Sequence, residues 1–544
     1  MKRIFEIIKC NRLSILSGFM IGTSYIPIPP WALLFCYTFL WWPFAVESHE
    51  DKAQKDSSSL KKVFWAGWWT QFTLSLIGFH WIIITAHDFG FLPWPVALVV
   101  LLLFAGFIHL YIPMALTLAH YVHRKFETPP LLRFFSFAIF LSLFEFLWPS
   151  IFPWHLGYVW MWMHSPIAQT ADVFGFLGLS LITYLLNACV GAGVYCWLKS
   201  EKQKTIAFAS AIFITLATLH FWGLEKRKDW NQTDAQVTTL SVQANIGNLE
   251  KYYAERGTGY QNDILQKFIG LSRRGIESDP SVQIDWMIWP EAAFPDFLDN
   301  HYNKTVRPSL VKKFVSEVKI PLFTGAYSKD PGTSANRLSY NALFFVNPME
   351  AEQEKPYRKT YLLAFGEYLP FGDMFPKLYE LLPFVSEFGR GKGPQIMNVN
   401  IPHLNEKIKI GPQICYESLD PHFSADLAAM GAKIILNVTN DSWFGKTFEP
   451  WQHMTMTLAR AIEVRRPLVR VTNTGITTAI LANGTVLEKS PLHEEWTGIH
   501  EISFLKDPPQ TFYTKYHSYY VWIMLVFLIL LLAYGKFKQR PAKS

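Results

Sequence analysis

Long apolar stretches alternate with short charged segments over the first 226 residues, and an apolar stretch returns near the C-terminal end. A run of about 20 apolar residues is long enough for a helix to cross a bilayer. Residues 13–46 carry no charge but are interrupted by prolines, so they predict two short helices. The other predicted spans cover residues 63–86, 91–120, 134–151, 173–198, 205–224 and 519–534. The pattern predicts a multi-pass α-helical membrane bundle of about eight spans.

Residues 227–515 have a different pattern, in which short β-branched and aromatic runs alternate with segments of helical spacing. Residues 407–414 predict a strand, and the apolar positions within 256–276 predict a helix. This alternation indicates an α/β layered fold with functional groups at strand ends. The predicted organisation is a membrane domain with seven transmembrane helices over 1–226, an α/β domain over 227–515, and a C-terminal transmembrane helix with a tail over 516–544.

Basic residues are concentrated in alternate loops of the predicted membrane bundle. Together, 18 Lys and Arg residues lie in the segments 1–12, 47–62, 120–133, 199–204 and 535–544. The short loops between them, 27–30, 87–90 and 152–172, contain none. The positive-inside rule places both termini in the cytoplasm and residues 227–515 outside. The formal net charge of +7 reflects this topology, so it gives no evidence for a nucleic acid partner.

Cysteine use in the predicted exported domain is unusual. Of five cysteines in the chain, only Cys415 lies in this domain, whereas exported domains usually pair their cysteines. An unpaired thiol there is either a buried inert side chain or a reactive group, and this fact alone leaves both open. The histidines of the domain show no close metal-ligand spacing, so the sequence predicts no metal.

Three residues of this domain have side chains suited to one reaction. Cys415 follows a predicted strand and would be the nucleophile once its thiol is deprotonated. Glu291, fixed by the preceding proline, would be the general base and later the acid. Lys359 would stabilise the oxyanion formed when a carbonyl is attacked, together with the backbone N–H of Tyr416. Taken singly, a glutamate after a turn is usually a solvated cap, and a lysine is usually a surface charge.

The order Glu, Lys, Cys resembles the triad of the nitrilase superfamily, and nearly the whole chain resembles the apolipoprotein N-acyltransferase family. The matching motifs are Trp289-Pro290-Glu291, Lys359 with Phe365-Gly366-Glu367, Cys415-Tyr416-Glu417, Asn440-Asp441-Ser442-Trp443-Phe444-Gly445, Gln452-His453, Arg466-Pro467, the run from Arg470 to Gly475 and, in the membrane part, Phe152-Pro153-Trp154 with Gly157-Tyr158. Two positions depart from the family pattern: Tyr252 stands where a tryptophan is usual, and residues 361–364 lack the usual histidine and proline.

The resemblance implies a fold, a location and a reaction. The domain 227–515 would be a nitrilase-like αββα sandwich in the periplasm, attached to the inner membrane of a bacterium. The donor would be a membrane phospholipid, and the acceptor would be an apolipoprotein whose N-terminal cysteine carries a diacylglyceryl group. The acyl chain would pass through a thioester on Cys415, and Glu367 and Glu417 would hold the ammonium group of Lys359. No cofactor is implied.

Two further features allow more than one interpretation. The apolar segment 368–388 would exclude water from a thioester as a lid that enters the lipid, or it is an ordinary core helix and loop. Glu145 lies within a predicted span, where a carboxylate is costly and functional by default. Alternatively, Glu145 is neutral and hydrogen-bonded near the outer interface. The sequence leaves these alternatives open.

Two other classes of protein compete with an acyltransferase. A membrane-tethered amidase acting on a small soluble substrate would share Glu291, Lys359 and Cys415 but would need neither a lid nor a phospholipid. A transporter or sensor with a degenerate domain would not need these residues, and their joint presence argues against it. Ammonia release from soluble amides would favour the amidase, and an unchanged phenotype of Cys415→Ala would favour the sensor.

Overall fold

The structure is a computed structural model in which most of the chain is described. The described residues are 6, 8–26, 33–47, 58–255, 257, 259–299, 306–330, 339–347, 355–372, 374–381, 385–404 and 406–538. The chain divides into two compact units. The first comprises Met1–His87, Phe91–Lys226 and Tyr516–Ser544, and the second comprises Asp88–Gly90 and Arg227–Lys515. The described part of the first unit is helical, whereas the second contains both helices and strands.

The first unit is built from apolar helices. They are Arg12–Ser24, Thr38–Ala45, Ser58–Gly78, Ile82–Ile84, Trp94–Phe107, Tyr111–Lys125, Pro130–Leu147, Tyr158–Trp162, Ala171–Leu198, Lys202–Asp229 and Tyr520–Lys538, with short 3-10 or π turns at Thr85–Phe89, Pro166–Thr170 and His517–Tyr519. Gly18 lets the first helix approach Ser58–Gly78 closely, because a Cβ at Gly18 would lie 2.4 Å from the Thr70 carbonyl oxygen. Such small residues are a common means of close helix packing in membranes.

The described residues include four helices that are long and apolar enough to cross a membrane. These are Trp94–Lys125, Pro130–Leu147, Pro166–Leu198 and Lys202–Asp229. A fifth candidate is the pair Leu60–Gly78 and Ile82–Phe89, which is bent by 67°. The predicted stretch 13–46 overlaps the short helices Arg12–Ser24 and Thr38–Ala45. A helical region with four or five candidate spans is therefore present, and the number of eight stays a prediction.

Glu145 is buried in the helix Pro130–Leu147, and a histidine lies beside it. His155 Nδ1 is 3.3 Å from Glu145 Oε1, and both side chains are buried. Ionisable residues inside membrane proteins are usually paired with one another in this way. The histidine provides a polar partner for the carboxyl group and leaves the role of Glu145 open.

The second unit contains two β-sheets. Its strands are β1 (Ala235–Gln243), β2 (Trp286–Ile288), β3 (Phe294–Phe297), β4 (Leu322–Lys329), β5 (Ser339–Val346), β6 (Tyr357–Arg358), β7 (Met397–Ile401), β8 (Glu406–Ile414), β9 (Ile434–Thr439), β10 (Leu468–Thr472), β11 (Thr478–Ile480) and β12 (Trp496–Phe504). The seven-stranded sheet has the order β12-β1-β2-β4-β5-β6, with β3 paired to β4. The five-stranded sheet has the order β11-β10-β9-β8-β7. The helices are Asn248–Glu255, Gln261–Ser278, Arg307–Val318, Lys377–Leu381, Pro421–Ala429, Glu449–Val464 and Phe512–Tyr516.

The two sheets pack against each other around one apolar core. This core includes Phe323 of β4 and Ile410 of β8. A second core lies between the seven-stranded sheet and the helices Gln261–Ser278 and Arg307–Val318. On the other side, Glu449–Val464 packs on the five-stranded sheet. The layers are therefore helix, sheet, sheet and helix, and the predicted α/β layered fold is confirmed.

Local pattern predicted some of these elements and missed others. The predicted strand 407–414 lies within β8, and the predicted helix 256–276 corresponds to Gln261–Ser278. Sequence reasoning missed β12, although buried side chains recur at alternate positions along much of it. β12 pairs with β1 in antiparallel register over the full length of both strands. Because these two strands lie at opposite ends of the unit in sequence, no local pattern indicates that they are neighbours.

Candidate active site

Loops that follow three strands bring Glu291, Lys359 and Cys415 together. Glu291 follows β2, Lys359 follows β6, and Cys415 follows β8. The seven-stranded sheet thus positions two of these residues, and the five-stranded sheet positions the third. Lys359 Nζ lies 2.9 Å from Glu291 Oε1, and the charges of both side chains act on the Cys415 thiol. The three predicted residues form one buried group.

Lys359 lies between two carboxylates. Its ammonium nitrogen is 2.9 Å from Glu291 Oε1 and 2.8 Å from Glu367 Oε2, and its side chain is only 1% exposed. Burial alone would lower the pKa of Lys359, but the charges of Glu291 and Glu367 raise it well above its usual value. The ammonium group therefore stays charged and can stabilise an oxyanion. Glu367 contacts Lys359, as the resemblance implies.

Asn341 is a further member of the site that sequence reasoning did not identify. Its Nδ2 donates hydrogen bonds to Glu291 Oε1 at 2.7 Å and to Glu367 Oε1 at 2.9 Å. The N–H of Leu363 donates to Glu367 Oε2 at 2.9 Å. The only signal in the sequence is a polar residue directly before the apolar run 342–346 of β5. Asn341 holds the two carboxylates at a fixed separation around Lys359.

Cys415 has an unusual backbone conformation. Its φ is +52°, in the left-handed region that residues other than glycine rarely adopt. Burial and, to a smaller extent, the charge of Glu291 raise the pKa of its thiol, and Lys359 opposes this effect. The thiol is therefore protonated at neutral pH and needs a base before it can attack a carbonyl carbon. Of the nearby carboxylates, Glu291 acts on the Cys415 thiol more strongly than Glu367 does.

Glu417 accepts hydrogen bonds from a tyrosine hydroxyl and from backbone N–H groups around the site, and the charge of Lys359 acts on its carboxyl group. Its Oε1 accepts hydrogen bonds from Tyr357 Oη and Thr360 N, both at 2.6 Å, and its Oε2 accepts one from Ile414 N at 2.7 Å. Burial raises the pKa of Glu417 to about 7. Glu417 therefore ties the segment that carries Lys359 to the end of β8.

The sequence also assigns Tyr416 and Tyr252 to the site. Tyr416 is partly buried and packs against the core between the sheets. Tyr252 belongs to the helix Asn248–Glu255, but its side chain lies outside the described residues. Lys251 of the same helix is buried and donates a hydrogen bond to the Glu291 carbonyl oxygen at 3.3 Å. This helix therefore borders the site.

Two family models match the chain. The carbon-nitrogen hydrolase model matches residues 232–505, and the apolipoprotein N-acyltransferase N-terminal domain model matches residues 17–189. An apolipoprotein N-acyltransferase of Bdellovibrio bacteriovorus is 50% identical over an alignment covering 97% of this chain and 95% of that relative. The chain belongs to the apolipoprotein N-acyltransferase family. A member from Geobacter metallireducens is 28% identical, and the alignment covers 81% of each chain.

Membership in the apolipoprotein N-acyltransferase family establishes the class of the protein. It is an acyltransferase of the nitrilase superfamily in lipoprotein maturation, and its apolar helices are consistent with a bacterial membrane protein. The predicted resemblance is confirmed.

One group of potential metal ligands occurs within the described part of the chain. Asp441, Glu449 and His453 each offer one donor atom, and these atoms lie within 4.8 Å of one another. Glu449 and His453 are four residues apart on one helix, a spacing that sequence reasoning did not identify. Arg470 Nη2 donates to Asp441 Oδ2 at 2.7 Å, and a positive charge so close opposes a cation. The absence of a metal stays a prediction.

Gly325 of β4 leaves space for the turn that carries Glu291. A Cβ at Gly325 would lie 2.4 Å from Ala292 N and 2.6 Å from Pro290 O. We expect Gly325→Ala to displace Glu291 and to lower the rate of acyl transfer to a lipopeptide by about 10²-fold, because a shift of about 1 Å at a catalytic group is costly. Gly270→Ala is the control, since a Cβ there meets nothing within 4 Å. Equal rates for the two variants would contradict this expectation.

Glu291→Gln should lower the pKa of the Cys415 thiol and at the same time slow acyl transfer. Because the charge of Glu291 raises the pKa of Cys415, the variant should have a lower thiol pKa and more thiolate at a given pH. Alkylation of Cys415 by iodoacetamide should therefore shift to lower pH. If Glu291 is the general base, as the sequence predicts, acyl transfer should nevertheless fall by about 10²–10⁴-fold. An alkylation midpoint that stays constant or rises would show that Glu291 does not act on the thiol.

Proposed function

We propose that the protein transfers a fatty acyl chain from a membrane phospholipid, through a thioester on Cys415, to the N-terminal amine of diacylglyceryl-cysteine apolipoproteins. The observation that carries this proposal is the buried group of Glu291, Lys359 and Cys415 in a chain that also has apolar helices long enough to span a membrane. Both substrates are lipids or lipid-anchored, which explains why a nitrilase-like unit is joined to such helices.

The first half-reaction forms the thioester. Glu291 takes the proton of the Cys415 thiol, and the thiolate attacks the carbonyl carbon of a phospholipid acyl ester. The negative charge then develops on the carbonyl oxygen, where Lys359 and the N–H of Tyr416 stabilise it. When the carbon–oxygen bond to the glycerol breaks, Glu291 gives its proton to the departing alkoxide. The products are a lysophospholipid and an acyl thioester.

The second half-reaction uses the same groups in the opposite direction. The α-amine of the lipoprotein cysteine attacks the thioester carbonyl carbon, and Glu291 accepts the proton that the amine loses. The carbon–sulfur bond breaks and releases the thiolate of Cys415. Glu291 then gives its proton to this sulfur, which restores the thiol. The product is an amide. Water must be kept from the thioester throughout, since its attack would release a free fatty acid.

The apolar segment 368–388 is the proposed lid over the thioester. Phe371 and Met374 are each 71% exposed and Phe375 is 58% exposed, which an ordinary core helix and loop would not show. Large apolar side chains exposed together mark a surface that binds lipid or another apolar partner. Leu369 of the same segment is buried and anchors it. We therefore assign the exposed side chains to contact with lipid.

The proposed location of residues 227–515 is the periplasm, with both termini in the cytoplasm. An impermeant amine reagent added to intact spheroplasts should label Lys313, whose side chain is 74% exposed. It should not label Lys202, which lies in a loop predicted to be cytoplasmic. Lysis before labelling is the control and should make both lysines reactive. Labelling of Lys202 alone in intact cells would show the opposite orientation.

Incubation of the purified enzyme with labelled phospholipid and a diacylglyceryl lipopeptide tests the proposed function. The expected products are a lysophospholipid and an N-acylated lipopeptide in equal amounts. Release of free fatty acid at the same rate with and without the lipopeptide would indicate a lipase instead. Release of ammonia from soluble amides, with no lipid product, would indicate the amidase that shares these three residues.

A further inference from the structure

The backbone carbonyl oxygen of Cys415 is held by side chains from the interior of the protein. Ser418 Oγ donates a hydrogen bond to it at 3.0 Å, and Asn437 Nδ2 donates one at 3.4 Å. A residue with positive φ keeps its conformation only where the surrounding structure determines it. These two bonds therefore fix the peptide unit that joins Cys415 to Tyr416.

Both donors are oriented by one guanidinium group. Arg470 Nη1 donates to Asn437 Oδ1 at 2.9 Å and to Thr457 Oγ1 at 3.0 Å. Because the Asn437 amide oxygen faces Arg470, its NH₂ group faces the Cys415 carbonyl. Thr457 Oγ1 lies 2.7 Å from Ser418 Oγ. Since Ser418 already uses its proton on the Cys415 carbonyl, Thr457 must donate to Ser418.

Two hydrogen-bonded arms thus run from Arg470 to the same carbonyl. One passes through Asn437, and the other passes through Thr457 and then Ser418; together these four residues are called the Arg470 relay. The direction of each bond is determined, because a guanidinium only donates and a carbonyl oxygen only accepts. All four side chains are fully buried, so the relay has no surface role. Asp441 Oδ2 accepts a bond from Arg470 Nη2 at 2.7 Å and fixes its other end.

We propose that the Arg470 relay positions the oxyanion donor of the acyl-transfer site. This inference rests on the proposed function, in which Cys415 is the acyl nucleophile. In a trans peptide the C=O and the following N–H point in opposite directions. Holding the carbonyl of Cys415 towards the relay therefore directs the N–H of Tyr416 away from it, as the donor that shares the oxyanion with Lys359. Arg470 is a positioning residue, because it acts through other side chains and does not touch the substrate.

The test removes one arm of the relay without removing a charge. Arg470 itself is a poor target, because its loss would leave Asp441 buried without its charged partner. Thr457→Val, Ser418→Ala and the double variant interrupt the same arm at two points. Thr478→Val is the matched control: Thr478 is buried, and its hydroxyl donates to the Leu487 carbonyl oxygen at 3.1 Å, outside the relay.

Two reactions of Cys415 are measured in each variant. Acylation by p-nitrophenyl acetate passes through an oxyanion, whereas alkylation by iodoacetamide does not. Thr457→Val and Ser418→Ala should each slow acylation about tenfold and leave the rate and pH midpoint of alkylation unchanged. The double variant should be no slower than the singles, because both changes interrupt one arm. Thr478→Val should be unchanged in both reactions.

Other results would overturn the proposal. Unchanged acylation in both single variants would show that the relay has no effect on the oxyanion. Equal losses of acylation and alkylation would show that the relay positions the Cys415 thiol and not the oxyanion donor. A loss of acylation in Thr478→Val equal to that in the relay variants would indicate a general effect of removing a buried hydroxyl. Multiplied losses in the double variant would show that the two residues do not act in series.

The same measurements separate this proposal from the proposed function. If wild-type enzyme is acylated by the ester but not by phospholipid, the proposed donor is wrong, and the comparison of variants still decides the role of the relay. If wild-type Cys415 is acylated by neither compound, it is not an acyl nucleophile, and both proposals fail.

Discussion

Enzyme mixed with phospholipid alone is expected to release about one equivalent of lysophospholipid and then to stop. In the proposed mechanism the donor half-reaction needs no acceptor, while turnover needs an acceptor amine. The mass of the protein should rise by one acyl chain, which neutral hydroxylamine should remove because it cleaves thioesters. Adding a diacylglyceryl lipopeptide should discharge the adduct and form an amide.

Cys415→Ser is the variant with the largest expected effect on this reaction. Its hydroxyl is a far weaker nucleophile than a thiolate, and an ester is a poorer acyl donor to an amine than a thioester. Steady-state transfer should fall by about 10⁴-fold or more, as the loss of a catalytic nucleophile does. Cys189→Ser is the control, because that cysteine lies in a helix of the first unit. An acyl adduct on any cysteine other than Cys415 would refute the site assignment.

The sequence was sufficient to single out Glu291, Lys359 and Cys415, because each stands in a motif that resembles the apolipoprotein N-acyltransferase family. It was not sufficient to find Asn341, because that residue reaches Glu291 and Glu367 only through the order of strands in the sheet. The order of strands depends on long-range pairing, such as that of β1 with β12. No periodicity in a single sequence reports which strands are neighbours.

The contacts of the Arg470 relay also could not be predicted from the sequence. Arg470 was recognised as part of a motif, but its partners lie on other elements: Asn437 on β9 and Thr457 on the helix Glu449–Val464. Glu417 was assigned to the ammonium group of Lys359, and the structure adds that it accepts hydrogen bonds from Tyr357 Oη, Thr360 N and Ile414 N. A motif identifies a residue that the fold requires; only the geometry shows which atom it contacts.

Lys359→Met is expected to affect both rate and stability. Loss of one oxyanion donor typically costs about 10²–10³-fold in rate. Lys359 is also 1% exposed and neutralises two buried carboxylates. Removing it leaves Glu291 and Glu367 without a counter-charge, which should cost about 3–5 kcal/mol of stability. Denaturant unfolding and acyl transfer should therefore both change.

The double variant Lys359→Met, Glu367→Gln separates the two effects. Replacing Glu367 by glutamine removes one of the uncompensated charges and should recover part of the lost stability. It supplies no cation for the oxyanion, so acyl transfer should stay about 10²–10³-fold below wild type. Glu367→Gln alone is the matched control and retains Lys359 beside Glu291. If the well-folded double variant transferred acyl chains at the rate of Glu367→Gln, Lys359 would have no part in the chemistry, and the oxyanion would depend on the N–H of Tyr416.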